Sequence, residues 1–287
     1  MLHVNRERRN NLTIVFGTIT FAAFFSNVSL VVYIVVRRLF KNFVSSHFIA
    51  NHAIISMLAC VYLIPIFISN VNTASNILGN DGYNQSTALC RFHAFITCTV
   101  WSATYYMTTC IAGVHLLTFA RIHYEQMFGL RPSIICVLSW IIGAALGLPC
   151  LTNESIVAYD QKYHYCLWNH NQNGCKFLAY FLSLGILLPS GLTIYSYTRV
   201  LLIFYHAPIV FETLGLFRSR YIIFFILLNQ FFQWPFFVSR FLYQPGMFGG
   251  VLIMFLTYLP NLSLGLAYGV SLFLMKEDDI ALTTRSH

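Results

Sequence analysis

Of 287 residues, 57% are hydrophobic, 17% aromatic and only 9% charged, whereas soluble chains carry roughly 25% charged residues. The 17 basic and 9 acidic residues are also spaced in a way that excludes a soluble fold. Between successive charges, seven windows reach 19 residues or more: 10–36, 42–80, 92–120, 132–153, 177–198, 221–239 and 241–275. A membrane-crossing helix needs about 20 mostly apolar residues to cover roughly 30 Å of hydrocarbon. Each window supplies one, and internally hydrogen-bonded helices fit these long runs where short alternating barrel strands do not.

The predicted elements, in chain order, are helices at 12–36, 45–69, 87–120, 132–151, 176–205, 219–243 and 248–275, followed by a short cytoplasmic tail at 276–287. The expected fold is therefore an all-α, seven-helix transmembrane bundle forming a single domain over 1–287. The two longest windows hold one span each. In the first, apolar character stops near Ser69 before an Asn- and Ser-rich stretch; in the second, Gln244-Pro245-Gly246 marks a turn. The run from Leu12 to Val36 is too long for a cleavable signal and is expected to act as its own anchor.

An external N terminus places ten basic residues on the cytoplasmic side against seven outside, a small bias in the expected direction. The sequons Asn84-Gln85-Ser86 and Asn153-Glu154-Ser155 fall in the second-to-third and fourth-to-fifth connections. Both connections lie on one side of any seven-helix topology, which makes Asn84 and Asn153 the expected glycosylation sites. Four of the eight cysteines cluster there too: Cys90 opens the third helix, Cys166 sits mid-loop, and Cys150 and Cys175 flank the same loop. A Cys90–Cys166 bridge would pin that loop across the bundle in an oxidising compartment, and a second bridge between Cys150 and Cys175 is open. Pro65, Pro149, Pro189, Pro235 and Pro260 each fall inside a predicted span, where a missing amide donor kinks or opens the helix.

These landmarks, in this order, resemble those of the rhodopsin-like G-protein-coupled receptors over essentially the whole chain. Asn27 in Ser26-Asn27-Val28-Ser29 is similar to the first-helix asparagine motif, and Asn51-His52-Ala53 with Pro65 to the second. Trp140 with Pro149, Pro189 with Tyr197, Phe232-Gln233-Trp234-Pro235, and Leu264-Gly265-Leu266-Ala267-Tyr268 resemble the fourth to seventh. The resemblance implies the Cys90–Cys166 disulfide. The short loops, short ends and altered motifs are similar to those of divergent invertebrate orphan or chemosensory members.

The departures carry their own implications. Ser56 stands at the family's second-helix aspartate and Leu264-Gly265 at its Asn-Pro pair, so an acidic sodium pocket is not expected. His115 stands at the third-helix arginine that meets the G protein, and Gln233 takes the sixth-helix toggle position because Trp234 lies directly before Pro235. By motif-relative position, the implied ligand pocket is lined by Thr97, Trp101, Phe181, Gln233, Phe236, Phe237, Arg240, Met254 and Tyr258. Thr97 offers no carboxylate to an ammonium, which disfavours a typical amine ligand. Arg240 either snorkels to headgroups or meets an anionic ligand. His115, Tyr197, Trp234, Pro235 and Tyr268 are the implied coupling and activation residues.

The resemblance thus implies a multi-pass plasma-membrane receptor for an extracellular chemical or peptide, with a heterotrimeric G protein and the lipid bilayer as partners. The alternatives are a receptor-shaped protein that does not couple, or a transporter, which would need charged residues at membrane depth. An enzyme, a cofactor, a metal site and a nucleic-acid partner are not expected, since no paired carboxylates, nucleophile–base pair or ligand spacing appears.

Overall fold

The computed structural model describes residues 2–41, 43–73, 77–78, 87–120, 122, 124, 127, 129–206, 219–241 and 247–274. Among the described residues seven long helical elements follow one another: α1 (Leu2–Val36), α2 (Ser45–Thr73), α3 (Ala88–Phe119), α4 (Pro132–Thr152), α5 (Gln172–His206), α6 (Ser219–Arg240) and α7 (Met247–Leu274). Six of them, all but α3, are long and apolar enough to cross a membrane. The α3 helix has 32 residues, about 48 Å at 1.5 Å per residue. Its apolar residues are interleaved with Thr, Ser, Tyr and His because it is the central rod, packed against α2, α4 and α5. Residues that face protein rather than lipid are free to be polar if their groups are bonded.

That inside-out distribution runs through the molecule. Phe21, Val32, Val61, Ile141, Leu192, Phe224 and Leu266 are exposed on the outer surface, while Asn27, Ser46, His52, Thr104, Thr193 and Asn261 are buried within. Lipid solvates an apolar exterior, so helices bury their polar faces against each other. Many buried threonine hydroxyls are satisfied locally: Thr20, Thr104 and Thr108 donate to the carbonyls of Phe16, Val100 and Thr104 at 2.6, 2.8 and 2.9 Å. Between helices, Asn261 Nδ2 donates to Thr104 Oγ1 at 2.9 Å and Ser263 Oγ to Asn229 Oδ1 at 2.7 Å.

The prolines act differently from span to span. Pro65 and Pro189 are each preceded by a π-helical turn, Ala59–Leu63 and Leu182–Leu187, which absorbs the lost i−4 bond by widening the helix. The loosened carbonyls of α5 find partners on α3, where Tyr106 Oη donates to Leu184 O at 2.9 Å and Thr109 Oγ1 to Pro189 O at 2.8 Å. Pro149 restarts α4 as a separate turn, Pro149–Thr152. Before Pro235, α6 gives up its α-geometry over 230–233, with Gln230, Phe231, Phe232 and Trp234 amides bonding three residues back. At Pro260 the α7 backbone runs through.

Gly265 stands at a close approach of two helices. A Cβ on Gly265 would lie 2.3 Å from Asn27 Oδ1, so its absence lets α7 close onto the asparagine of α1.

The fourth-to-fifth connection, expected only as a loop, is a β-hairpin: β1 (Val157–Asp160) pairs antiparallel with β2 (Tyr165–Trp168). His164 closes the four-residue turn in the left-handed region, at φ 50°. Every residue of β2 is buried, so the strand is seated inside the bundle mouth rather than lying over it. Local signals set its anchors. Thr87 caps α3 by accepting from Cys90 N at 3.1 Å, and Asn171 caps α5 by accepting from Gly174 N at 2.7 Å.

Two expectations change, and one open alternative is decided. The α2 helix does not stop at Ser69: Asn70 is buried, donating to His164 O at 3.1 Å and accepting from Ile77 N at 3.0 Å, and helix continues to Thr73. The α1 helix starts about ten residues before the apolar run, at Leu2. The Cys150–Cys175 bridge is not formed: Cys150 is buried with its sulfur 3.8 Å from that of Cys98, whereas Cys175 is exposed. The tail 276–287 and Asn84 lie outside the described residues.

Candidate functional site

The chamber at the hairpin end of the bundle is built from residues of α3, α5, α6 and α7, and the hairpin fills it. Cys90, on the first turn of α3, is joined to Cys166 on β2 with a Cα–Cα distance of 5.5 Å. This tether brings both neighbouring aromatic residues of β2 into the bundle. Trp168 lies 6.0 Å from Trp101, 5.4 Å from Phe181 and 5.8 Å from Phe236, and stacks at 6.4 Å on Phe237. Trp101 in turn makes edge contacts with Phe236 at 5.5 Å and Tyr258 at 6.1 Å. On the other strand face, Tyr165 Oη bonds Thr97 Oγ1 at 2.8 Å and also Tyr258 Oη.

Each of the nine residues that the resemblance implied for a ligand pocket is buried, and seven of them, Thr97, Trp101, Phe181, Phe236, Phe237, Arg240 and Tyr258, touch the hairpin. Gln233 donates through Nε2 to Thr257 O at 3.2 Å, and Met254 is fully enclosed. Arg240 turns inward instead of reaching for headgroups, with its side chain 3% exposed. Its Nη1 pairs with Asp160 Oδ2 of the hairpin at 2.6 Å, another guanidinium nitrogen donates to Trp168 O, and its carbon lies 5.5 Å from the Tyr163 ring. Tyr163 also bonds Ser239 Oγ at 2.8 Å. An anionic ligand at Arg240 would thus have to displace a carboxylate already bound there. Arg240 is the sole Lys, Arg, Asp or Glu among the buried described residues.

Asp160, Tyr163, Tyr165 and Trp168 are the chamber residues that sequence reasoning missed. The available signal was the run Tyr163–Trp168, three aromatic residues around Cys166.

Within the hairpin, burial pushes the His164 imidazole below its ordinary value of 6.5; nearby Arg9 acts in the same direction and Asp160 opposes it. A base whose folded pKa is depressed binds fewer protons seated than released. Stability present above about pH 6.5 is therefore lost as the pH falls through the window beneath it. Hydrogen exchange of residues 157–168, corrected for intrinsic rate, is expected to rise below about pH 6.5 in wild type and to stay flat in His164→Gln. Identical pH profiles for the two proteins would sink this assignment.

At the opposite end of the bundle, His115 Nδ1 and Tyr197 Oη lie 3.2 Å apart, both buried. Tyr268 is buried beside His52, ring centroids 5.0 Å apart. In the sixth-helix stretch Gln233 is buried, while Trp234, implied by the resemblance as an activation residue, is 41% exposed on the outer surface. Asn153 is exposed, and its Oδ1 accepts from Ser155 N at 3.0 Å and Ser155 Oγ at 2.7 Å.

The fold and chamber define a helical membrane protein with a disulfide-tethered hairpin in one mouth of its bundle. No protein-family model matches the chain, and no curated protein is significantly similar to it in sequence.

Proposed function

We propose that the chain is a plasma-membrane receptor of seven spans, with α3 as the seventh, its N terminus and hairpin outside the cell and Asn153 glycosylated. It senses an extracellular chemical or peptide and signals through a heterotrimeric G protein. The observation that carries the reading is the chamber: an aromatic-walled mouth between α3, α6 and α7, filled by a hairpin tethered to α3, with the Arg240–Asp160 pair its buried charges. Such a site suits a mostly apolar ligand oriented by a few hydroxyls, among them Thr97 and Tyr258. Ligand entry then requires Trp168 to leave its place between Trp101 and Phe237, which links occupancy to the positions of α3 and α6.

The effector end supports weak coupling. Imidazole offers two nitrogens where a guanidinium offers a fork of five donors, and one of those nitrogens is engaged by Tyr197. A receptor-shaped protein that does not couple is the second reading, favoured by this same burial of His115. Resonance-energy transfer between G-protein subunits, recorded in cells challenged with a chemically diverse panel, separates the two. His115→Arg is expected to raise basal or ligand-driven signalling about tenfold, equivalent to about 1.4 kcal/mol. Silence of both wild type and His115→Arg across every G-protein class would favour the non-coupling reading.

A further inference from the structure

Cys150 does not meet Cys175, and the structure gives it another neighbour. Its sulfur lies 3.8 Å from that of Cys98, 52 residues earlier on α3, and both cysteines are fully buried. The approach is built into the backbones. A Cβ on Gly147, three residues before Cys150, would stand 3.2 Å from Cys98 Cβ and 3.0 Å from Phe95 O, so α4 lies directly on α3 at this level. Closing from 3.8 Å to the roughly 2.05 Å of a sulfur–sulfur bond asks each sulfur to travel about 0.9 Å, a shift on the scale of a side-chain rotation.

The surroundings favour oxidation. Cys98 lies about 12 Å along α3 from Cys90, whose bond to Cys166 requires an oxidising compartment at this end of the bundle. Cys90 and Cys166 are as enclosed as Cys98 and Cys150, so burial in the finished fold does not prevent a bond made during folding. Cys150 stands three residues before Asn153, where α4 ends, and is reachable until Trp168 of the hairpin settles beside Cys98.

We infer that Cys98 and Cys150 form a second disulfide, joining α3 to α4, as the protein matures. Cys150, as thiolate, attacks the organic disulfide of an oxidoreductase and releases one of its thiols; Cys98 then attacks the Cys150 sulfur of the mixed disulfide and releases the other. Two cysteine thiols are oxidised to one disulfide, the oxidoreductase disulfide is reduced to two thiols, and the two protons pass to the leaving thiolates. The bond ties the last turn of α4 to the helix that also carries the hairpin. The inference shares with the receptor reading only the placement of the hairpin end in an oxidising compartment.

The test uses the full chain expressed through a eukaryotic secretory pathway and denatured in N-ethylmaleimide, which alkylates every free thiol before digestion without reductant. Cleavage after Arg91, Tyr106, Trp140 and Lys162 puts Cys90, Cys98, Cys150 and Cys166 on separate peptides. Joined Cys98–Cys150 peptide is expected at about tenfold over maleimide-labelled Cys98, with Cys175 carrying maleimide. Cys98→Ala and Cys150→Ala should each lower the Tm by about 5 °C, and the double variant by no more. Maleimide on both Cys98 and Cys150, with Cys90 still joined to Cys166, would overturn the inference and leave the receptor reading standing. A Cys150–Cys175 peptide would overturn it as well. Maleimide on all four would overturn both the inference and the external placement of the hairpin.

Discussion

Asp160→Ala is expected to destabilise the protein by about 3–5 kcal/mol, because it leaves the Arg240 guanidinium buried and unpaired. The two partners are not equivalent. The Arg240 side chain is 3% exposed and that of Asp160 19%, so a stranded Asp160 can turn towards water whereas a stranded Arg240 cannot. Arg240→Met should accordingly cost less, about 1–3 kcal/mol, chiefly through the unsatisfied carbonyl of Trp168. The double variant should be more stable than Asp160→Ala alone, since it removes the uncompensated charge. Thermal unfolding of the three variants in detergent micelles measures the cycle. If Asp160→Ala costs under about 1 kcal/mol, the pair behaves as a surface ion pair and aromatic packing alone seats the hairpin.

Loss of the Cys90–Cys166 bridge is the second large effect. The cysteines are 76 residues apart, and for a free chain the loop-entropy relation assigns such a bridge about 4.5 kcal/mol. In a membrane the denatured chain keeps its inserted helices, so the loop is partly constrained before the bridge forms. We therefore expect Cys90→Ser and Cys166→Ser each to cost about 2–3 kcal/mol. The double variant should cost no more than either alone, because both act on one bond. Non-reducing peptide mapping should recover Cys90 joined to Cys166. A Cys90–Cys175 peptide, or additive losses in the double variant, would reject the pairing.

The two effects meet in one element. The disulfide holds β2 at α3, and the ion pair holds β1 at α6. Variants that release either are expected to expose Trp168, which is 2% exposed when seated, so its fluorescence reports hairpin release independently of stability.

The helices were legible before any coordinates, because a bilayer imposes a length and a charge limit that composition alone reveals. The charge-free windows bound 45–69, 132–151 and 248–275 within a few residues of Ser45–Thr73, Pro132–Thr152 and Met247–Leu274. Seven residues named from landmark spacing on α3, α5, α6 and α7 touch the hairpin, since residues on a helix keep their angular relation whatever surrounds them. What the helical period cannot reach is a contact made by an irregular segment. Strands of four residues carry no usable periodicity. Asp160 and Arg240, 80 residues apart, become partners only when the disulfide draws the hairpin inward. The same limit explains Asn70, polar in sequence yet helical and buried because the hairpin turn supplies an acceptor. It explains α3 as well: it is less apolar than the six long apolar helices because it packs against α2, α4 and α5, and only the assembled bundle determines which helix stands among them.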